Sequence, residues 1–119
     1  MIDKNKYSKT AEDFEKWLNK QYILWNVNPK GEIYYEHDTG GCLYLEDEMQ
    51  ASVYLKYFDE CGIYIDIDSE SICENSDHWT FTIDQNEFGH DGNDKTYNSR
   101  LSAFKSAIQN ASIIREKQL

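Results

Sequence analysis

The residues with chemical potential in this chain are three histidines, three cysteines and many carboxylates. Cys61, Cys73, His78 and His90 supply two thiols and two imidazoles, the inventory of a structural zinc site, but not the close pairs that such sites use. Asp66, Asp68 and Glu70 have the spacing of the first three ligands of a calcium loop. Ser71 then stands where glycine is required, and Asp77 where the closing glutamate belongs. Asp84, Asn86 and Gly89 imitate a second such start, with Phe88 and Lys95 at ligand positions. His37-Asp38 and His90-Asp91 are His-Asp dipeptides of the kind that can supply one half of a metal or acid–base site, and a small metal-dependent hydrolase would draw on these four residues. No phosphate-binding glycine loop, dinucleotide fingerprint or nucleophile elbow accompanies them. The expectation is a protein without a catalytic site, bound metal or cofactor.

Charge distribution is more informative. The chain has 119 residues, with 12 basic against 22 acidic side chains and a net charge of −10. Residues 31–94 carry nearly all of the excess, because Lys56 is their only base, while both ends are mildly basic. Such a middle repels phosphate backbones and anionic membranes, and favours a basic protein surface as partner. Two acidic clusters are candidate contacts: Glu46, Asp47 and Glu48, and the alternate residues Asp66, Asp68 and Glu70. Of the tyrosines that accompany the acids, including Tyr54 and Tyr97, outward-facing Tyr34, Tyr44 and Tyr64 would add rigid contact area.

Elements to position these groups follow from periodicity. Thr10, with Asp13 three residues on, reads as the cap of a helix whose stripe is Phe14, Trp17 and Leu18, ending near Lys20. Asn28-Pro29-Lys30-Gly31 reads as a turn between strands 22–27 and 32–37; extension of the first helix through Trp25 is the competing reading. Asp38-Thr39-Gly40-Gly41 turns into a short strand at Cys42–Leu45. Residues 46–61 fit a helix with Met49, Val53, Tyr57 and Cys61 every fourth residue, closed by Gly62, although 51–58 also fits a strand. Ile63–Asp68 and His78–Asp84 alternate as strands, with Tyr64, Asp66 and Asp68 on a wet face, and 85–97 reads as loop. The last helix, from about residues 96–98, carries Leu101, Phe104, Ala107, Ile108, Ala111 and Ile114, with alanines at 103, 107 and 111.

The expected fold is α+β, an antiparallel sheet with helices packed on it in the approximate order α-β-β-β-α-β-β-α, as one domain spanning 1–119. The N-terminus lacks an apolar leader and no run of apolar residues is long enough to span a bilayer, so the chain reads as cytoplasmic, with reduced cysteines.

The strand His78–Asp84, the glycine-containing loop, and then Ser99-Arg100-Leu101-Ser102-Ala103-Phe104-Lys105-Ser106-Ala107-Ile108 resemble the C-terminal part of many small phage- and prophage-encoded α+β proteins. The resemblance covers about 40 C-terminal residues, and some proteins of that kind inhibit host defence nucleases, anti-CRISPR proteins among them. It implies an acidic inhibitor of a nucleic-acid-handling enzyme. An immunity protein against a nuclease toxin, or a self-associating phage structural or accessory protein, fits the same features.

Overall fold

The computed structural model describes residues 1–36, 40–69, 79–84 and 96–119 in full and residues 85 and 89–92 as backbone. The elements run α1 (Ser8–Gln21), β1 (Trp25–Val27), β2 (Ile33–Glu36), β3 (Cys42–Tyr44), α2 (Asp47–Glu60), β4 (Ile63–Ser69), β5 (Trp79–Gln85), β6 (Gly89–Gly92) and α3 (Arg100–Gln118). The fold is α+β with antiparallel pairing throughout, and the expected order stands with one short strand added. The strands divide into two sheets, β1-β2-β3 and β4-β5-β6.

Helix α1 starts two residues before Thr10, because the chain already turns at Asp3. Its carbonyl accepts from the amides of Lys6 and Tyr7, and its carboxylate from that of Asn5. Thr10 is therefore not the cap. It is fully buried, its hydroxyl donates to the Ser112 carbonyl at 3.4 Å, and its amide donates to Glu116 Oε1 at 2.6 Å. A carboxylate from α3 thus satisfies a first-turn amide that has no local acceptor.

The strand expected over 22–27 shrinks to its last three residues, and the helix does not reach Trp25. Tyr22 closes α1 by donating its amide to the Leu18 carbonyl, and its ring stacks on Trp25 at 4.0 Å. Between them Ile23 and Leu24 are thrown outward, 87% and 75% exposed. The following turn is as expected. Asn28 Oδ1 accepts from the amides of Lys30 and Glu32, and Gly31 has φ +87°, a conformation that costs L-residues strain. Residues 1–4 lie against this turn: the Met1 nitrogen donates to Lys30 O, Lys4 N to Pro29 O, and Ile2 N to the Tyr54 hydroxyl. That hydroxyl in turn donates to the Gly31 carbonyl.

Residues 47–60 are helix, not strand. Strict four-residue spacing advances about 40° per step around a helix, so the line from Met49 to Cys61 cannot stay on one face. Val53 and Tyr57 are buried, whereas Met49 is 53% exposed and Cys61 half-buried. The true inner face is Gln50, Ala51, Val53, Tyr54, Tyr57 and Phe58. Gln50 accepts from the Ile33 amide at 3.1 Å and donates to the Leu45 carbonyl at 2.8 Å, clamping the first sheet to α2. Gly62, φ +78°, ends the helix in the left-handed region.

Part of the expected loop is β6, which pairs with β5 from Gln85↔Gly89 to Thr82↔Gly92. Glycines at both of its ends explain the missing strand signal. Tyr97 then bridges Trp79 by two backbone hydrogen bonds, which delays the last helix until Ser99 caps it by accepting from the Ser102 amide. Ala103, Ala107 and Ala111 are fully buried, as their spacing requires for close packing. Ile63, Phe81 and Ile83 join α1, α2 and α3 residues and Ile33 in one core. No helix among the described residues is long and apolar enough to cross a membrane.

Candidate functional site

Strict alternation sets the second sheet's two faces. Ile63, Ile65 and Ile67 turn inward with Ile83 and Phe81 opposite, which leaves Tyr64, Asp66 and Asp68 outward. Their register partners on β5 are Asp84, Thr82 and Thr80, so those six residues share one face. Tyr64, Asp66 and Asp68 are exposed and Thr80, Thr82 and Asp84 half-buried. These six residues supply three carboxylates, one aromatic ring and two hydroxyls, and the β5–β6 register sets His90 opposite Asp84. Lys56, the only base in residues 31–94, lies elsewhere, its ammonium 5.8 Å from the Tyr22 ring.

The face is acidic enough to act on its neighbours. Partial burial pushes the Asp59 carboxyl up, and the charge of Asp66 pushes it further. Asp59, exposed at the end of α2, therefore extends the acidic surface beyond the strand. Its contribution was not visible in the sequence, because it depends on how α2 packs beside β4.

Glu46, Asp47 and Glu48 form a separate group. They occupy the cap and first turn of α2, exposed, where negative charge complements the helix dipole. Asp59 lies at the opposite end of that 14-residue helix, about 20 Å away by its rise per residue. The two sequence clusters sit on different elements, the start of α2 and the strand β4. Glu70 lies outside the described residues, as do His37, Asp38, Cys73, His78 and Asn86.

Of the tyrosines, Tyr34 and Tyr44 pair across β2 and β3 on the outer face of the first sheet, ring centroids 5.3 Å apart, with Glu36 and Cys42 beside them. Burial, then the neighbouring Glu36, Cys42, Tyr44 and Glu15, pushes the Tyr34 hydroxyl up. Tyr64 belongs to the other sheet. Tyr54 is fully buried, and the Tyr97 hydroxyl is hydrogen-bonded to Ser106 at 2.6 Å, so both are structural.

The calcium-loop spacing at Asp66 and Asp68 falls on a regular strand, which holds alternate side chains about 7 Å apart instead of wrapping them around an ion. Of the thiols and imidazoles considered for zinc, Cys61 lies at the end of α2, where burial pushes its thiol up. The strand register sets His90 opposite Asp84 and Asp91 opposite Ile83. Among the described residues no group of histidine, cysteine and carboxylates has metal-binding geometry.

A polar node that periodicity does not reveal joins the three helices. The Tyr57 hydroxyl donates to Asp13 Oδ2 at 2.7 Å, and Arg115 Nη2 reaches the same oxygen at 3.0 Å. Burial raises the Asp13 carboxyl, but the hydrogen bonds from Tyr57 and Arg115 and the guanidinium charge outweigh it and hold that group below its ordinary value. Burial and the adjacent carboxylate push the Tyr57 hydroxyl far up, so it serves as a permanent donor. Trp17 Nε1 donates to Glu60 Oε2 at 2.8 Å nearby. Nothing in the node combines a nucleophile with a free base.

No protein-family model, characterised protein or solved structure matches this chain.

Proposed function

We propose that the chain is a non-enzymatic binding protein of the cytoplasm that docks on a basic surface of a partner protein through the outer face of its second sheet. The observation that carries this reading is the β4–β5 register, which gathers Tyr64, Asp66, Asp68 and Asp84 with Thr80 and Thr82. A rigid strand pair presents the carboxylates with little conformational freedom left to lose, which favours charge-directed docking. The concrete form is an inhibitor of a nucleic-acid-handling enzyme, encoded by a phage or mobile element, that covers the enzyme's cationic groove. Direct binding of nucleic acid runs against the sign of the face. An immunity protein would use the same face against a nuclease toxin, and the captured partner separates the two.

The test is capture from lysate at low and high salt, read by mass spectrometry. A basic, nucleic-acid-binding protein retained at low salt and released at high salt supports the reading. Retention that ignores salt, or capture that survives reversal of Asp66 and Asp68 to lysine, overturns it.

One observation favours a second reading, self-association. All three residues of edge strand β3 are exposed, Leu43 at 44% and Tyr44 at 53%, which leaves an apolar edge open to pairing. Light scattering decides it: a monomer across the accessible concentration range removes it.

A further inference from the structure

The first sheet leaves one edge open, and bonds at the end of its ladder fix which backbone groups face outward. Leu45 N donates to the Ile33 carbonyl, and the Gln50 side chain takes the other two groups of that pair, the Ile33 amide and the Leu45 carbonyl. Bonded pairs alternate along an antiparallel ladder, so Leu43 is the next residue of β3 to bond β2. The N–H and C=O groups of Cys42 and Tyr44 therefore point away from β2, and they have no partner among the described residues. The other edge strand, β1, packs beside α1, whereas all three residues of β3 are exposed. Cys42 and Tyr44 thus offer their backbone groups, in strand geometry, to an added strand.

Side chains beside this edge define the strand that fits it. On the outer face one cross-strand row runs from Glu36 to Cys42, and the next from Tyr34 to Tyr44. An added residue opposite Cys42 lies two strand spacings from Glu36, about 10 Å, with only the short cysteine side chain between. A lysine or arginine at that place reaches across Cys42 to the exposed Glu36 carboxylate, and one opposite Tyr44 lies against a ring that is 53% exposed. On the other face Leu43 calls for an apolar neighbour. A second copy of this chain is a poor match, because Glu36 and Glu46, two residues past Tyr44, would bring acid toward acid. We propose that the β3 edge takes an extended segment of a partner protein in which basic and apolar residues alternate. It adds antiparallel to β3, its basic residues opposite Cys42 and Tyr44 and an apolar one beside Leu43. The edge belongs to the first sheet, so its occupancy does not depend on the β4–β5 face.

The test uses the whole chain and its backbone amide signals. The peptide acetyl-Ser-Arg-Val-Arg-Val-Arg-Ser-amide is titrated to about 5 mM at constant ionic strength, a range that detects millimolar affinity. Saturable movement centred on residues 42–44 is expected. The same peptide N-methylated at its arginines, which cannot donate to the edge, should lose that response, as should one with glutamate in place of arginine. Glu36→Gln should raise the half-saturation point about threefold, the size of an exposed ion pair. Absence of saturable movement overturns the proposal, as does equal binding by either control peptide or an unchanged half-saturation point in Glu36→Gln with its fold intact. Movement centred on residues 64–68 places the peptide on the second sheet and overturns it too. So does movement of the 42–44 signals with protein concentration alone that the peptide does not reverse, which makes a second copy the occupant.

Discussion

Gly31→Ala offers a demanding test of how the N-terminal segment holds the hairpin. Gly31 has φ +87°, and a Cβ added there collides with the backbone nitrogens of Met1 and Ile2. The positive φ alone costs alanine about 1 kcal/mol. Relief of the collision requires residues 1 and 2 to move away. Ile2, only 2% exposed, would then give up burial of about 2–3 kcal/mol. The bonds from Met1 N to Lys30 O and from Ile2 N to the Tyr54 hydroxyl would be lost too, at about 1 kcal/mol each. Partial relaxation returns some of this, so the expected destabilisation is about 3–5 kcal/mol. That corresponds to a fall of about 10–20 °C in Tm. Urea unfolding of Gly31→Ala, Ile2→Ala and the double variant measures it. Because both changes act on the same contact, the double variant should fall short of additivity by about 1 kcal/mol or more. A Gly31→Ala effect below about 0.5 kcal/mol, or strict additivity, would refute the reasoning.

Three further outcomes are expected. Asp13 has a lower pKa folded than unfolded, so its contribution is complete above its unfolded value and is lost as pH falls through the folded one. Asp13→Asn should therefore flatten the acid limb of the stability curve below about pH 4, measured by urea unfolding against pH. Ser99→Ala removes the side-chain acceptor at the start of α3 and should cost about 1 kcal/mol in the same assay. Asp66→Asn should lower the Asp59 pKa, followed by carboxyl chemical shifts against pH; no movement would separate the two carboxylates electrostatically.

How much was legible in the sequence depended on the range of the interaction. The faces of β4 and β5 follow from period-two alternation, and the inner side of α3 from its alanine and isoleucine spacing, because both patterns are local. Thr10 carries a sound capping signal and still lies inside the helix, since its partners are Ser112 and Glu116 on α3. The Asp13–Tyr57–Arg115 node likewise joins three helices that no spacing relates. Strand β6 owes its place to pairing with β5 and not to the propensity of its glycines. The acidic residues were visible, but which of them share a face with β5 was not, because it depends on strand register. Asp59 and Asp84 join the candidate face through packing and register alone.

The central claim is that the second sheet's outer face, and not acidity in general, binds the partner. Two variants of equal charge change test it directly: Asp66→Lys/Asp68→Lys on the face, and Glu46→Lys/Glu48→Lys at the start of α2. Partner capture at physiological salt is compared for both, with unfolding curves to show that each variant is folded. The account predicts that the face variant loses capture by about tenfold or more while the helix variant stays close to the parent. Equal loss in both, or loss only in the helix variant, would contradict it.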